Sequence, residues 1–144
     1  MAAMIGTAAS VLVAEGHPGL AEGMRGLLET VFDCVVIVAD ARSLTESVGR
    51  IVPALVIVDL ALGRGDISGL LQRLRDRCPG SRVLVLGAYE EPSVAALMIR
   101  LGADGFLVTR DIASGLLPMV DALLRGEHPG AHVPDAGIPV GKAD

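Results

Sequence analysis

Apolar and polar positions alternate between two spacings along this chain, and the switch between them outlines the elements. Ala54-Leu55-Val56-Ile57-Val58 runs without a polar break into Asp59, with Pro53 before it and Gly63 and Gly65 after it. An unbroken, β-branched run of that length suits a central parallel strand covered on both faces, with the carboxylate delivered to the sheet's carboxyl edge. Ser10 to Ala14 is a second run of this kind, ending at Glu15. Cys34–Val38, Val83–Leu86 and Gly105–Val108 complete a set of five.

Between the strands the spacing changes to that of helices. Pro18 opens one whose apolar positions Leu20, Met24, Leu27, Leu28 and Val31 share a face. Ser43 and Glu46 have capping-box spacing before Leu44, Val48 and Ile51. A glycine-rich loop, Leu60 to Asp66, leads to a helix with Ile67, Leu70, Leu71 and Leu74 on one side, stopping near Pro79-Gly80. Glu90-Glu91-Pro92 starts a helix that Gly102 ends, and Asp111 to Arg125 forms the last, with Pro118 inside it. That proline predicts a kink, or a late start with Ser114 as the cap. Strands alternating with helices imply right-handed crossovers and a parallel sheet with helices on both faces. The pattern collapses beyond Gly126 among Pro129, Pro134 and Pro139. The expected organisation is therefore a flexible N-terminus over residues 1–9, one domain over 10–127 and a disordered tail over 128–144.

Composition narrows the picture. Hydrophobic residues make up 51% of the chain but aromatics only 2%, so aliphatic side chains must build the core. No apolar run approaches the ~18 residues of a membrane span, and Met1 to Ser10 lacks the features of a signal peptide. Cys34 and Cys78 show neither metal nor redox spacing; reduced, packed thiols in a cytoplasmic protein are expected. A formal net charge of −5 argues against direct binding to nucleic acid.

Glu15, Asp59, Gly87 and Thr109 each fall at the carboxyl end of a different strand and are expected to converge. Together, the order of elements and the motifs Glu15-Gly16-His17-Pro18, Val58-Asp59-Leu60, Leu86-Gly87-Ala88-Tyr89 and Gly102-Ala103-Asp104-Gly105-Phe106 resemble the receiver domain of bacterial two-component response regulators. The resemblance covers roughly residues 10 to 127. His17-Pro18 and the ending Leu124-Arg125-Gly126-Glu127 are similar to the subfamily with a LuxR-type helix-turn-helix output domain. It implies a flavodoxin-like, doubly wound, five-stranded parallel sheet of order 2-1-3-4-5 with five helices. It also implies phosphoryl transfer from a histidine kinase to an aspartate, here Asp59, with Mg²⁺ held nearby, and no catalytic residue of an enzyme.

Such chemistry needs a carboxylate nucleophile, a hard cation in oxygen coordination and donors for the phosphoryl oxygens. The resemblance places an acidic pair after the first strand, a hydroxyl after the fourth and a lysine after the fifth. The chain has Glu15-Gly16, Gly87 and Thr109 at those places. Glu15 and Asp59 remain as weak metal-ligand candidates, and Gly87, Phe106 and Thr109 occupy the switch positions. Arg110 is expected to face away by strand alternation, and Arg64 is a second, loop-borne cation. The bland readings are a solvated acid for Glu15, a helix cap for His17, a loop cap for Asp59 and a core-edge ring for Phe106. Loss of one carboxylate and one ammonium leaves the formal charge of the cluster unchanged, so the pocket can stay folded without metal.

The leading expectation is an atypical receiver-like module with impaired phosphorylation. It would contact a histidine kinase or other signalling protein and self-associate weakly, if at all, through the last helix. The alternative is a working phosphoacceptor in which Glu15 and water hold Mg²⁺. A flavodoxin-like small-molecule binder is a third class, but no G-x-G-x-x-G pattern follows the first strand.

Overall fold

In the computed structural model, residues 9–131 are described. The order is β1 (Ser10–Ala14), α1 (Pro18–Leu28), β2 (Cys34–Val38), α2 (Ala41–Ile51), β3 (Leu55–Asp59), α3 (Ile67–Arg77), β4 (Arg82–Gly87), α4 (Pro92–Arg100), β5 (Gly105–Val108), α5 (Ile112–Leu124) and β6 (Gly130–Ala131). All strand pairs are parallel, in the order β2-β1-β3-β4-β5-β6. Five strands thus lie in the expected 2-1-3-4-5 order. The sixth, two residues long, is an addition that the sequence pattern did not announce.

Strand alternation builds two cores. Val11, Val13, Leu55, Ile57, Leu84, Leu86 and Leu107 face Met24 and Leu28 of α1 and Leu116, Val120 and Leu123 of α5. Leu12, Val56, Val58, Val83, Val85 and Phe106 face Leu44 and Val48 of α2, Leu70, Leu71 and Leu74 of α3, and Met98 of α4. Leu55 to Val58 are fully buried because the central strand is covered on both sides. Burial of each such side chain contributes about 1.5–3 kcal/mol before conformational entropy is charged against it.

Local chemistry sets the helix ends. His17 caps α1, its Nδ1 accepting from the Leu20 N–H at 3.1 Å, with Pro18 in the first turn. The cap of α2 is Asp40, whose Oδ1 accepts from the Ser43 N–H at 2.7 Å; the expected Ser43–Glu46 box does not form, and Glu46 pairs with Arg42 instead. Aspartate's short carboxylate reaches the third amide on its own, so the helix starts three residues earlier than expected. Val31 does not extend the apolar face of α1, because the chain leaves the helix after Leu28; Val31 is exposed and Phe32 takes the buried place. Cys34 likewise departs from expectation: it starts the edge strand β2 and is exposed, while Cys78 is buried at the end of α3.

α5 begins at Ile112, so Ser114 is not its cap, and Pro118 stands inside it on an exposed face. With no N–H at 118, the Ser114 carbonyl has no backbone donor from the next turn. The expected tail over 128–144 starts instead as an ordered return to the sheet at Gly130–Ala131, and its remainder lies outside the described residues. No helix among the described residues is long and apolar enough to cross a membrane.

Candidate functional site

The sheet's carboxyl edge holds a pocket of about 380 Å³. Glu15, His17 and Leu20 form one wall, Asp59 and Ala61 the second, and Ala88, Thr109 and Arg110 the third. The register explains the convergence. Ala14 pairs with Val58, and Asp59 with Leu86, so β1 and β3 end side by side and present consecutive acids. Gly87, paired with Val108, lies at the same edge but behind the pocket wall; its neighbour Ala88 is the one that lines it.

Asp59 is partly exposed, and its Oδ1 accepts from the Ala61 N–H at 2.9 Å, capping a 3-10 turn over Leu60–Gly63. It is therefore both a loop cap and a pocket acid. Glu15 is not the solvated acid expected: it is only 4% exposed, its Oε2 accepts from the His17 N–H at 3.1 Å, and its Oε1 is buried without a partner. Burial, and next the adjoining Asp59 carboxyl, push the Glu15 carboxyl from 4.5 up to about 7, against the pull of the His17 and Gly16 amides. Burial follows from β1 continuing its pairing past its last residue, since the Glu15 N–H still bonds to the Val38 carbonyl at 3.0 Å.

The cation at this pocket is Arg110. Strand alternation would have turned it away, but β5 ends at Val108 and Thr109–Asp111 forms a 3-10 turn that carries Thr109 and Arg110 to the same side. Its guanidinium is paired with Glu90, in the loop before α4. The sequence signal that could have found it is the Asp111 that follows, which favours a turn over continued strand. Arg64, the other candidate cation, has a left-handed backbone after the 3-10 turn and does not line the pocket.

Gly87 owes its place to Phe106. The ring is 1% exposed, within the core beneath α3 and α4. A Cβ at residue 87 would stand 2.9 Å from Phe106 Cε1 and closer still to Cζ, a separation that real side chains do not adopt. The volume a side chain at 87 would use is thus filled by the aromatic ring. Gly16 is different, for a Cβ there meets only ordinary contacts at 3.5 Å from the Ala39 carbonyl and 3.7 Å from Leu62 Cδ2.

Mg²⁺ fits the present donors poorly. Glu15 is held toward its protonated form, Gly16 offers no oxygen, and among the described residues no group of three or more acids, histidines or cysteines converges. A hard divalent cation wants near-octahedral oxygen coordination, which two carboxyls alone do not supply.

A doubly wound α/β domain with two acids at its carboxyl edge defines a class, and sequence comparison makes it specific. The response regulator receiver domain pattern matches residues 11–114, so the chain belongs to that family and is a receiver domain of the two-component response regulator type. It is 32% identical over 100 residues to the methanol utilization control regulatory protein MoxX of Paracoccus denitrificans, covering 67% of this chain and 45% of that protein. It is 31% identical over 122 residues to a nitrate/nitrite response regulator protein homolog of Haemophilus influenzae, covering 81% and 57%. The chain spans about half the length of these curated relatives. Among solved structures, a LuxR-family two-component response regulator from Aurantimonas sp. superposes with a TM-score of 0.77 at 24% identity, covering 90% of this chain and 92% of that one. The isolated receiver domain of RcsB from Salmonella enterica serovar Typhimurium gives 0.73 at 22%, covering 86% and 92%.

Two predictions follow from the acid and the glycine. An acid whose pKa is raised by folding binds its proton more tightly in the folded state, so its contribution to stability is fully present below about pH 4.5 and is lost as pH rises toward about 7. Urea unfolding of the parent should therefore weaken across that window, and Glu15→Gln should flatten the slope by an amount on the order of 2–3 kcal/mol. Equal slopes would show that Glu15 titrates normally. Gly87→Ser should cost about 1–3 kcal/mol by overpacking, and close to nothing in a Phe106→Ala background. Equal costs in both backgrounds, measured by urea unfolding, would mean that the ring does not own that volume.

Proposed function

We propose that this receiver domain signals with Asp59 unphosphorylated or phosphorylated only slowly, and acts through contact with a partner protein. The observation that carries this reading is the Phe106 ring behind Gly87. The hydroxyl that the resemblance places there is not merely missing, because its space is taken. Three further features support it. Thr109 brings no ammonium, Arg110 is already engaged by Glu90, and Gly16 removes an acid beside Glu15.

Preorganised charge stabilisation is the main contribution a protein makes to phosphoryl transfer. Losing one such donor costs roughly 2.7–4 kcal/mol in other enzymes, on the order of 10²–10³ in rate. Loss of two, together with a metal ligand, places transfer outside a signalling timescale even where the effects are not additive. The partner is a histidine kinase or another signalling protein, met in the cytoplasm through the face of α4, β5 and α5. Exposed Tyr89 and Leu97, at and within the start of that face, suit protein contact better than a solvated surface. Self-association through α5 is weak in this reading, since Pro118 interrupts the hydrogen bonding of its exposed side.

The working-phosphoacceptor reading is favoured by one feature: Asp59 is partly exposed and reaches the open pocket. Intact mass separates the two. Acetyl phosphate with Mg²⁺ should leave the mass unchanged over minutes, and Asp59→Asn should leave partner binding intact. A stoichiometric phospho-adduct on the parent that Asp59→Asn abolishes would establish the working phosphoacceptor instead.

A further inference from the structure

Among the described residues two buried side-chain oxygens lack a hydrogen-bond partner, Glu15 Oε1 and Asp111 Oδ2, and both belong to the carboxyl edge of the sheet. Such atoms are rare in folded proteins, because each has given up water with nothing in return. Glu15 lines the pocket, and Asp59 stands beside it at the end of the neighbouring strand, its Oδ1 committed to the Ala61 N–H at 2.9 Å. The cations nearby are already engaged or turned elsewhere. Arg110 lines the same pocket but pairs with Glu90. His17 Nδ1 accepts from the Leu20 N–H, so that nitrogen has no proton to give. Residues 9–131 contain no lysine.

The rest of the lining includes hydrocarbon, from the Leu20 side chain and the methyl groups of Ala61 and Ala88. At about 380 Å³ the pocket lies at the small end of the ~300–1,000 Å³ range of ligand sites. Two acids beside a short apolar wall suit a cation carried on a short alkyl body. The acids repel an anion, and Mg²⁺ lacks the oxygen ligands it needs here. An ammonium meets neither obstacle. Its three N–H donors need no octahedral shell and reach carboxyls on two strands at once.

We infer that this pocket binds a small, free primary amine as its ammonium ion, with Glu15 and Asp59 accepting from the nitrogen and Leu20, Ala61 and Ala88 covering the alkyl stem. The inference rests on the reading that Asp59 stays unphosphorylated, since a phosphoryl group would take the same space. The protein-contact face of α4, β5 and α5 is a different surface. Asp59→Asn therefore removes the amine and spares the partner.

Titration of the whole chain with n-butylamine tests it, read by NMR at fixed pH and ionic strength with no phosphodonor present. The amides of Ala61, Ala88 and Thr109 should shift saturably, and those at the amino edge should not. Affinity should rise roughly three- to fourfold for each methylene buried from ethylamine to butylamine. Glu15→Gln and Asp59→Asn should each weaken binding by about tenfold or more. Asp59 is partly exposed, so its variant decides the matter if Glu15→Gln fails to fold. No saturable shift, an equal response to the neutral n-butanol, or binding indifferent to the acid variants would overturn the proposal. Displacement of butylamine by lower concentrations of Mg²⁺ would assign the acids to the divalent ion and overturn it too. Tighter binding of the peptide acetyl-Gly-Lys-Gly-amide than of butylamine would assign the pocket to a protein side chain and overturn the free-ligand assignment. Intact mass after acetyl phosphate reports separately on the reading beneath it.

Discussion

One volume at the carboxyl end of β4 is claimed by two residues, and the rest of the site follows from which of them holds it. With the Phe106 ring fully inside the core beneath α3 and α4, a Cβ at 87 would crowd it, so glycine is the residue that leaves the ring where it is. Glycine carries no donor, so the β4 wall of the pocket is made by the methyl group of Ala88. A ring buried on this scale is held by dispersion and burial worth several kcal/mol, roughly 3–5 for its truncation to alanine in other cores. No single polar contact at residue 87 matches that, so packing decides the chemistry of the edge.

The charges then settle among themselves. Glu15, taken out of water by the continued pairing of β1, is pushed toward its neutral form beside Asp59, which removes the repulsion a pair of carboxylates would otherwise carry. Arg110 turns to the pocket but gives its guanidinium to Glu90. The resulting pocket is close to self-compensated, and it can be so without the acid at 16 or an ammonium at 109. An exposed pair such as Arg110–Glu90 contributes little to stability. Its importance is in linking the pocket wall to the loop before α4.

Much of this fold was legible in the sequence. The unbroken run ending at Asp59 and the changes of apolar period located every long strand and helix, because burial on one or two faces writes itself into spacing. Asp59 and Glu15 could be placed on one edge by the same logic. What stayed hidden depends on geometry rather than pattern. Arg110 was turned the wrong way because a strand was assumed to continue where a 3-10 turn begins. The reason for Gly87 lies in a ring nineteen positions away in sequence, on the neighbouring strand, and no local pattern encodes that contact. Gly130–Ala131 looked like a tail because a two-residue pairing has no period to detect.

The most direct measurement is the NMR response of the Phe106 ring and the α4 amides to beryllofluoride with Mg²⁺, a mimic of the phosphorylated aspartate. A pocket whose donor space is filled and whose cation is already paired should leave the Phe106 ring signals and the resonances of Pro92–Arg100 where they are. Saturable shifts at Phe106 and along α4, lost in Asp59→Asn, would contradict the account and show that the ring still moves in response to the site.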